Sequence, residues 1–194
     1  LLSIIFIKMK ANNIKYFTTR QEWRKWLEEN FNTETEVWLV YPNKSSGKAC
    51  ILYNDAVEEA LCFSWIDSTV KKLDEEHRMQ RFTPRKNKGY YSQINKERLK
   101  RLAENNMIHH SIREEIEDVI QEEFVFPTDI LKRLKKDKTV WKNYNNFSEA
   151  YRRIRIAYIE VARNYPEEFE KRLTFFISKT KVNKMITGYG GTDK

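Results

Sequence analysis

The residues best equipped to recognise a ligand lie between Trp65 and Lys96. Arg81 and Arg85 flank Phe82 in Arg81-Phe-Thr-Pro-Arg85, and Asn95 and Lys96 follow Tyr91-Ser92 where a helix should begin. If a hairpin joins the strands around Trp65 and Arg81, then Trp65, Asp67, Arg81, Phe82, Arg85, Tyr91, Asn95 and Lys96 can share one site. Guanidinium groups beside an aromatic floor and a helix N-terminus make an anion pocket, suited to a carboxylate or phosphate. A second reading needs no ligand. Asp67 and Arg81 then pair across the strands, and Trp65 is core. A third reading takes Arg85, Lys86, Lys88, Tyr90 and Tyr91 as cations interleaved with rings, the pattern of a single-stranded nucleic-acid groove. No recognised nucleic-acid motif accompanies them, so nucleic acid is the less favoured partner.

Catalysis finds weaker material. Glu58 and Glu59 are adjacent, so on a helix they point about 100° apart and do not form a close carboxylate pair. Ser64 lacks a Gly-x-Ser-x-Gly elbow, and Cys62 ends an apolar helix, where a thiol packs rather than attacks. There is no Gly-rich phosphate loop, and His109-His110 stands at a helix entrance. The expectation leans away from an enzyme and towards a binding protein for a small anion or a protein partner. Two cysteines, Cys50 and Cys62, and three unpatterned histidines leave neither a disulfide framework nor a metal site to expect. No cofactor is expected either.

The elements that must position these groups follow from pattern. Hydrophobic residues are 40% and charged residues 33% of the 194, with five Gly and four Pro, which excludes collagen-like and low-complexity chains. Thr19-Arg-Gln-Glu22 is a capping box ahead of Trp23, Trp26 and Leu27, predicting a helix over 19–30. Glu36–Tyr41 reads as a strand stopped by Pro42, and Asn54 or Asp55 as the cap of a second helix. Alternation predicts a hairpin over 65–83 with its turn at 74–77, and Ser92 caps a third helix. After Asn105 the chain reads as helical. Ser111-Ile-Arg-Glu114 is a second capping box, Pro127-Thr128 opens a short helix, and Val140, Trp141 and Tyr144 mark another. Ser148 begins a longer helix with a stripe of Tyr151, Ile154, Tyr158, Val161 and Ala162, and Pro166 begins the last. The fold class is α+β: a small antiparallel or mixed sheet with helices over 16–105, then a packed helical segment over 106–184. A flexible tail is expected over 185–194.

The formal net charge of +8 is unevenly placed. Residues 71–101 carry 11 basic and 4 acidic groups, 102–131 carry 1 and 8, and 132–194 carry 16 and 7. The acidic stretch suits internal docking against a basic neighbour, which leaves less of the charge to argue for nucleic acid. Leu1–Ile7 is too short to span a bilayer and lacks signal-peptide features. The expected natural start is Met9, with 1–15 an extension, and the expected location is the cytoplasm. Oligomeric state is not legible.

Three ordered motifs carry a resemblance. Glu59-Ala-Leu-Cys-Phe-Ser-Trp-Ile-Asp67, Arg81-Phe-Thr-Pro-Arg85 and Tyr91-Ser-Gln-Ile-Asn-Lys96 resemble the YdeI/OmpD-associated family. Ala157–Arg163 and Glu170–Leu173 resemble its C-terminal segment. The chain departs from that pattern at Ser64, where the family usually has Gly, at Tyr91, where Trp is common, and at Pro166-Glu-Glu168. The resemblance implies a link to bacteriocin or antimicrobial-peptide protection and to envelope stress. It supplies neither a reaction nor a ligand.

Overall fold

A computed structural model describes residues 13–87 and 89–187. The start expected at Met9, Lys88 and the tail residues 188–194 lie outside the described residues. The chain divides into two compact units. One comprises the residues up to Tyr90 together with Arg98–Ile120, the other Tyr91–Glu97 with Gln121 onward.

The first unit is built on a mixed four-stranded sheet in the order β1-β2-β4-β3. Strand β1 (Ile14–Lys15) runs parallel to β2 (Val37–Pro42), and β4 (His77–Pro84) pairs antiparallel with both β2 and β3 (Trp65–Lys72). Helix α1 (Arg20–Asn30) starts as its sequence dictates. The Thr19 hydroxyl accepts from the Glu22 N–H at 3.2 Å, and the Glu22 carboxylate accepts from the Thr19 N–H at 3.1 Å. Two otherwise orphaned donors are thereby satisfied, which leaves the helix free to bury Trp23 and Leu27. The β2 residues are buried throughout, and Pro42 forms the last position of the strand rather than lying beyond it.

Helix α2 (Tyr53–Cys62) begins two residues earlier than an Asn54 cap would start it, with Leu52 at its N-cap and no capping side chain. The reason is long-range. Asn54 Oδ1 accepts from Arg98 at 3.0 Å and the Asp55 carboxylate lies 3.4 Å from Arg20, so both candidate caps are engaged elsewhere. The hairpin β3–β4 forms with its turn held by Asp74, which accepts from the N–H groups of Glu76 and His77 at 2.8 Å. A bulge interrupts β3 between Asp67 and Val70.

Helix α3 (Gln93–Glu104) contributes Gln93–Glu97 to the second unit and its remainder to the first. The capping box expected at Ser111 does not form. His110–Ile112 and Glu114–Ile116 are single 3-10 turns, followed by the five-residue helix α4 (Glu117–Gln121). The Ser111 hydroxyl sits 2.8 Å from His109 Nδ1 instead of capping, and four acidic side chains crowd Glu114–Asp118.

The second unit packs α5 (Thr128–Lys135), α6 (Lys138–Asn146), α7 (Glu149–Glu160) and α8 (Pro166–Lys181). Its core gathers Leu134, Val140, Tyr144, Tyr151, Ile159, Leu173 and Phe176. Asp137 and Ser148 cap α6 and α7, and Pro166 occupies the first turn of α8, where its missing N–H has no partner to lose. The stripe predicted on α7 holds for Tyr151, Ile154 and Ala162, with Tyr158 half-buried, but not for Val161, which is 73% exposed. Among the described residues no helix is long and apolar enough to cross a membrane.

Candidate functional site

Register decides where the hairpin residues go. Asp67 lies opposite Phe82, so both share the sheet face that α1 and α2 cover, while Arg81 points to the other face. The cross-strand pair between Asp67 and Arg81 therefore does not form. Asp67 accepts from the Tyr53 hydroxyl at 2.6 Å, and Arg81 Nε donates to Glu36 at 2.7 Å. Trp65 and Phe82 are core: the Trp65 indole donates to the Phe31 carbonyl at 3.1 Å, and the Phe82 ring lies 5.5 Å from Trp23. Arg85, just past β4, donates from its side chain to the Tyr90 carbonyl and from its backbone to Ser64. Tyr91, Asn95 and Lys96 belong to the second unit, where Tyr91 and Asn95 are buried and Lys96 pairs with Glu122. Of the ring faces in the nucleic-acid pattern, Tyr91 is buried and Tyr90 is exposed, as is Lys86.

The carboxylates of α2 have a definite task. Glu58 and Glu59 are both buried, and the Arg20 guanidinium joins them, Nε donating to Glu59 and Nη1 to Glu58 at 3.1 Å. Arg24 adds a 2.8 Å bond to Glu59, and Arg101 pairs with Glu58. Each carboxylate thus meets two arginines, Glu59 with Arg20 and Arg24 and Glu58 with Arg20 and Arg101, a network rather than an acid–base pair. Burial pulls the Arg98 guanidinium below its usual value, against the opposing fields of Glu58, Tyr53 and Asp67.

At the end of α2, burial pushes the Cys62 thiol up to about 12, with Glu59 adding to the shift and Arg24 opposing it. The thiol is protonated at neutral pH. Titration of the native protein with a thiol-reactive disulfide at pH 8 is expected to show Cys50 reacting quickly and Cys62 at least tenfold more slowly, both reacting together once urea is added. Equal native rates would contradict this. Nearby, burial and the neighbouring His110, whose ring centroid is 4.2 Å away, hold His109 below the usual imidazole value.

A second arrangement escaped the sequence reading. In the helical unit, α7 and α8 border a cleft of about 280 Å³ lined by Arg155, Tyr158, Ile159, Glu168, Lys171, Arg172, Phe175 and Phe176, with Ile186 and Thr187 beyond α8. Arg155 is only 3% exposed and its guanidinium lies over the Tyr151 ring at 5.5 Å. Arg172 is held by three contacts. Its Nε donates to Glu168 and its Nη1 to the Tyr158 carbonyl, each at 2.8 Å, and its plane covers the Tyr158 ring at 4.1 Å. Among the described lining residues three are cationic, Arg155, Lys171 and Arg172, and one, Glu168, is a carboxylate that Arg172 already meets. The only linear signal was the basic excess of 132–194; the meeting of Arg155 with Arg172 is a product of helix pairing.

The fold and these sites define an α+β protein with an appended helical unit and a basic cleft in that unit. Residues 15–115, more than half of the chain, match the family described as Domain of unknown function (DUF8412), and the chain belongs to that family. Residues 123–183 match the model described as Bacteriocin-protection, YdeI or OmpD-Associated, a partial match that covers α5–α8. The likeness is thus found on the segment that holds Ala157–Arg163 and Glu170–Leu173, while the motifs between Glu59 and Lys96 lie within the residues that match the other family. Searches of curated proteins and of solved structures return no match.

Proposed function

We propose that the protein is a non-catalytic, cytoplasmic accessory protein that holds a small anionic ligand in the cleft of its helical unit. Its role would be of the kind named by the family matched there, protection against bacteriocins or antimicrobial peptides and association with outer-membrane protein expression. One observation carries the reading: the segment that matches this family, 123–183, contains Arg155, Lys171 and Arg172 around a cleft in which Glu168 is the one acidic lining residue among the described residues. A desolvated guanidinium attracts an anion far more strongly than a solvated one, because the local dielectric is low. Support against catalysis comes from the α2 carboxylates, each bound by arginines.

Calorimetric titration with inorganic phosphate tests the reading. Saturable binding is expected, weakening as chloride rises and weakened at least fivefold by Lys171→Gln combined with Arg172→Gln. Single-stranded DNA should bind feebly at low salt. Steeply salt-dependent DNA binding that is lost on neutralising Arg85, Lys86 and Lys88, with no phosphate binding, would replace this reading by a nucleic-acid regulator.

A further inference from the structure

We infer that the ligand of this cleft is an amphiphilic anion, with one phosphate or carboxylate head and a compact apolar body, aromatic or branched aliphatic. The inference rests on the anion-binding reading above and adds the second half of the ligand. The head is placed by the cations. Arg172 is fixed in plane by Tyr158 and Glu168, and with Nε and Nη1 engaged, its Nη2 hydrogens have no acceptor among the described residues. Such a preoriented guanidinium binds an oxyanion with little further ordering. Lys171 stands at the rim, 80% exposed and 3.9 Å from Glu168. Arg155 supplies a buried positive charge in the lining.

The body is placed by the remaining wall. Ile159 and Phe176 are buried, while Phe175 is 49% exposed and lines the same cleft with Tyr158 and Ile186. A bare hydrated ion would leave the exposed faces of Phe175, Tyr158 and Ile186 against water. A ligand with an apolar body removes that surface from water at about 25 cal/mol per Å². The size agrees with a small ligand: at about 280 Å³ the cleft lies near the lower end of the ~300–1,000 Å³ usual for ligand pockets.

The test compares three probes by calorimetry on the full chain: inorganic phosphate, phenyl phosphate and benzyl alcohol. Phenyl phosphate is expected to bind at least tenfold more tightly than inorganic phosphate, and benzyl alcohol not to saturate. Phe175→Ala, at a half-exposed position, should weaken phenyl phosphate about fivefold and leave inorganic phosphate unchanged. Arg172→Gln should weaken both anions; should it disturb folding, Lys171→Gln serves as the exposed substitute. Equal affinity for the two phosphates, or indifference to Phe175→Ala, overturns the amphiphile and leaves anion binding standing. Benzyl alcohol binding as tightly as phenyl phosphate overturns the anionic head. Absence of binding by either phosphate overturns the underlying reading as well.

Discussion

Replacing Glu59 with alanine is expected to cost the sheet-bearing unit about 3 kcal/mol of stability, since breaking a buried ion pair from one side typically costs 3–5 kcal/mol. Glu59 is 1% exposed and accepts from both Arg20 and Arg24. The lower end of that range applies because the two arginine side chains keep 25% and 29% of their exposure and retain other partners. Arg20 still meets Glu58 at 3.1 Å, and Arg24 still donates to the Met107 carbonyl at 2.9 Å. At about 2–4 °C per kcal/mol for a chain of this size, the melting temperature should fall roughly 6–12 °C. Glu59→Gln keeps an accepting oxygen and loses the charge, so a loss of about half is expected. Glu28→Ala provides the control: that carboxylate is half exposed, pairs with Arg24 at i,i+4, and should change stability by no more than about 0.5 kcal/mol. Urea unfolding followed by tryptophan fluorescence reads all three, because Trp23, Trp26 and Trp65 lie in this unit. A Glu59→Ala loss as small as that of Glu28→Ala would show that the network stabilises nothing.

What could be read in advance was what local chemistry determines. Thr19 and Glu22 satisfy each other within four residues, and the hairpin follows from a period-2 pattern around an Asp74 turn, so both were legible. The cross-strand partner of Asp67 was not. A single extra residue in β3 shifts the pairing, and in a strand a shift of one residue moves every side chain to the opposite face. The cap of α2 was misplaced for a related reason: Asn54 and Asp55 have the right side chains but are engaged by Arg98 and Arg20, far away in sequence. Ser64 is a subtler case. Its φ of +55° is the left-handed conformation that glycine adopts without penalty, which gives a physical reason for the glycine usual there in the family the sequence resembles. Here serine holds the same turn, and its hydroxyl donates to Glu115. The cleft was invisible because basic residues on a helix read as solvated until the partner helix that buries them is known. Arg155 looks no different in sequence from Arg152 or Arg153.

Trp23→Ala should remove about 4 kcal/mol from the same unit, within the 3–5 kcal/mol typical of a large aromatic deleted from a core. Trp23 is fully buried and joins three elements at once. Its indole N–H donates to the Ala56 carbonyl on α2 at 3.0 Å, its ring lies 5.3 Å from Trp26 on its own helix, and it meets Phe82 of β4 at 5.5 Å. No small rearrangement fills the resulting void, because the surrounding rings belong to elements held separately by the capping box, the arginine network and the sheet ladder. Trp23→Phe keeps most of the volume and loses the hydrogen bond, so a loss of about 2 kcal/mol is expected. The informative comparison is Trp26→Ala. That ring stacks on Trp23 at 14° and has the same chemistry, but it is only partly buried. Its removal opens a groove that water can enter rather than a closed cavity, and should cost about 1–2 kcal/mol. Denaturant midpoints at unchanged slope would measure all three. Equal losses for Trp23→Ala and Trp26→Ala would mean that ring contact, not enclosure, sets the stability of this core, and would remove the reason for placing its centre at Trp23.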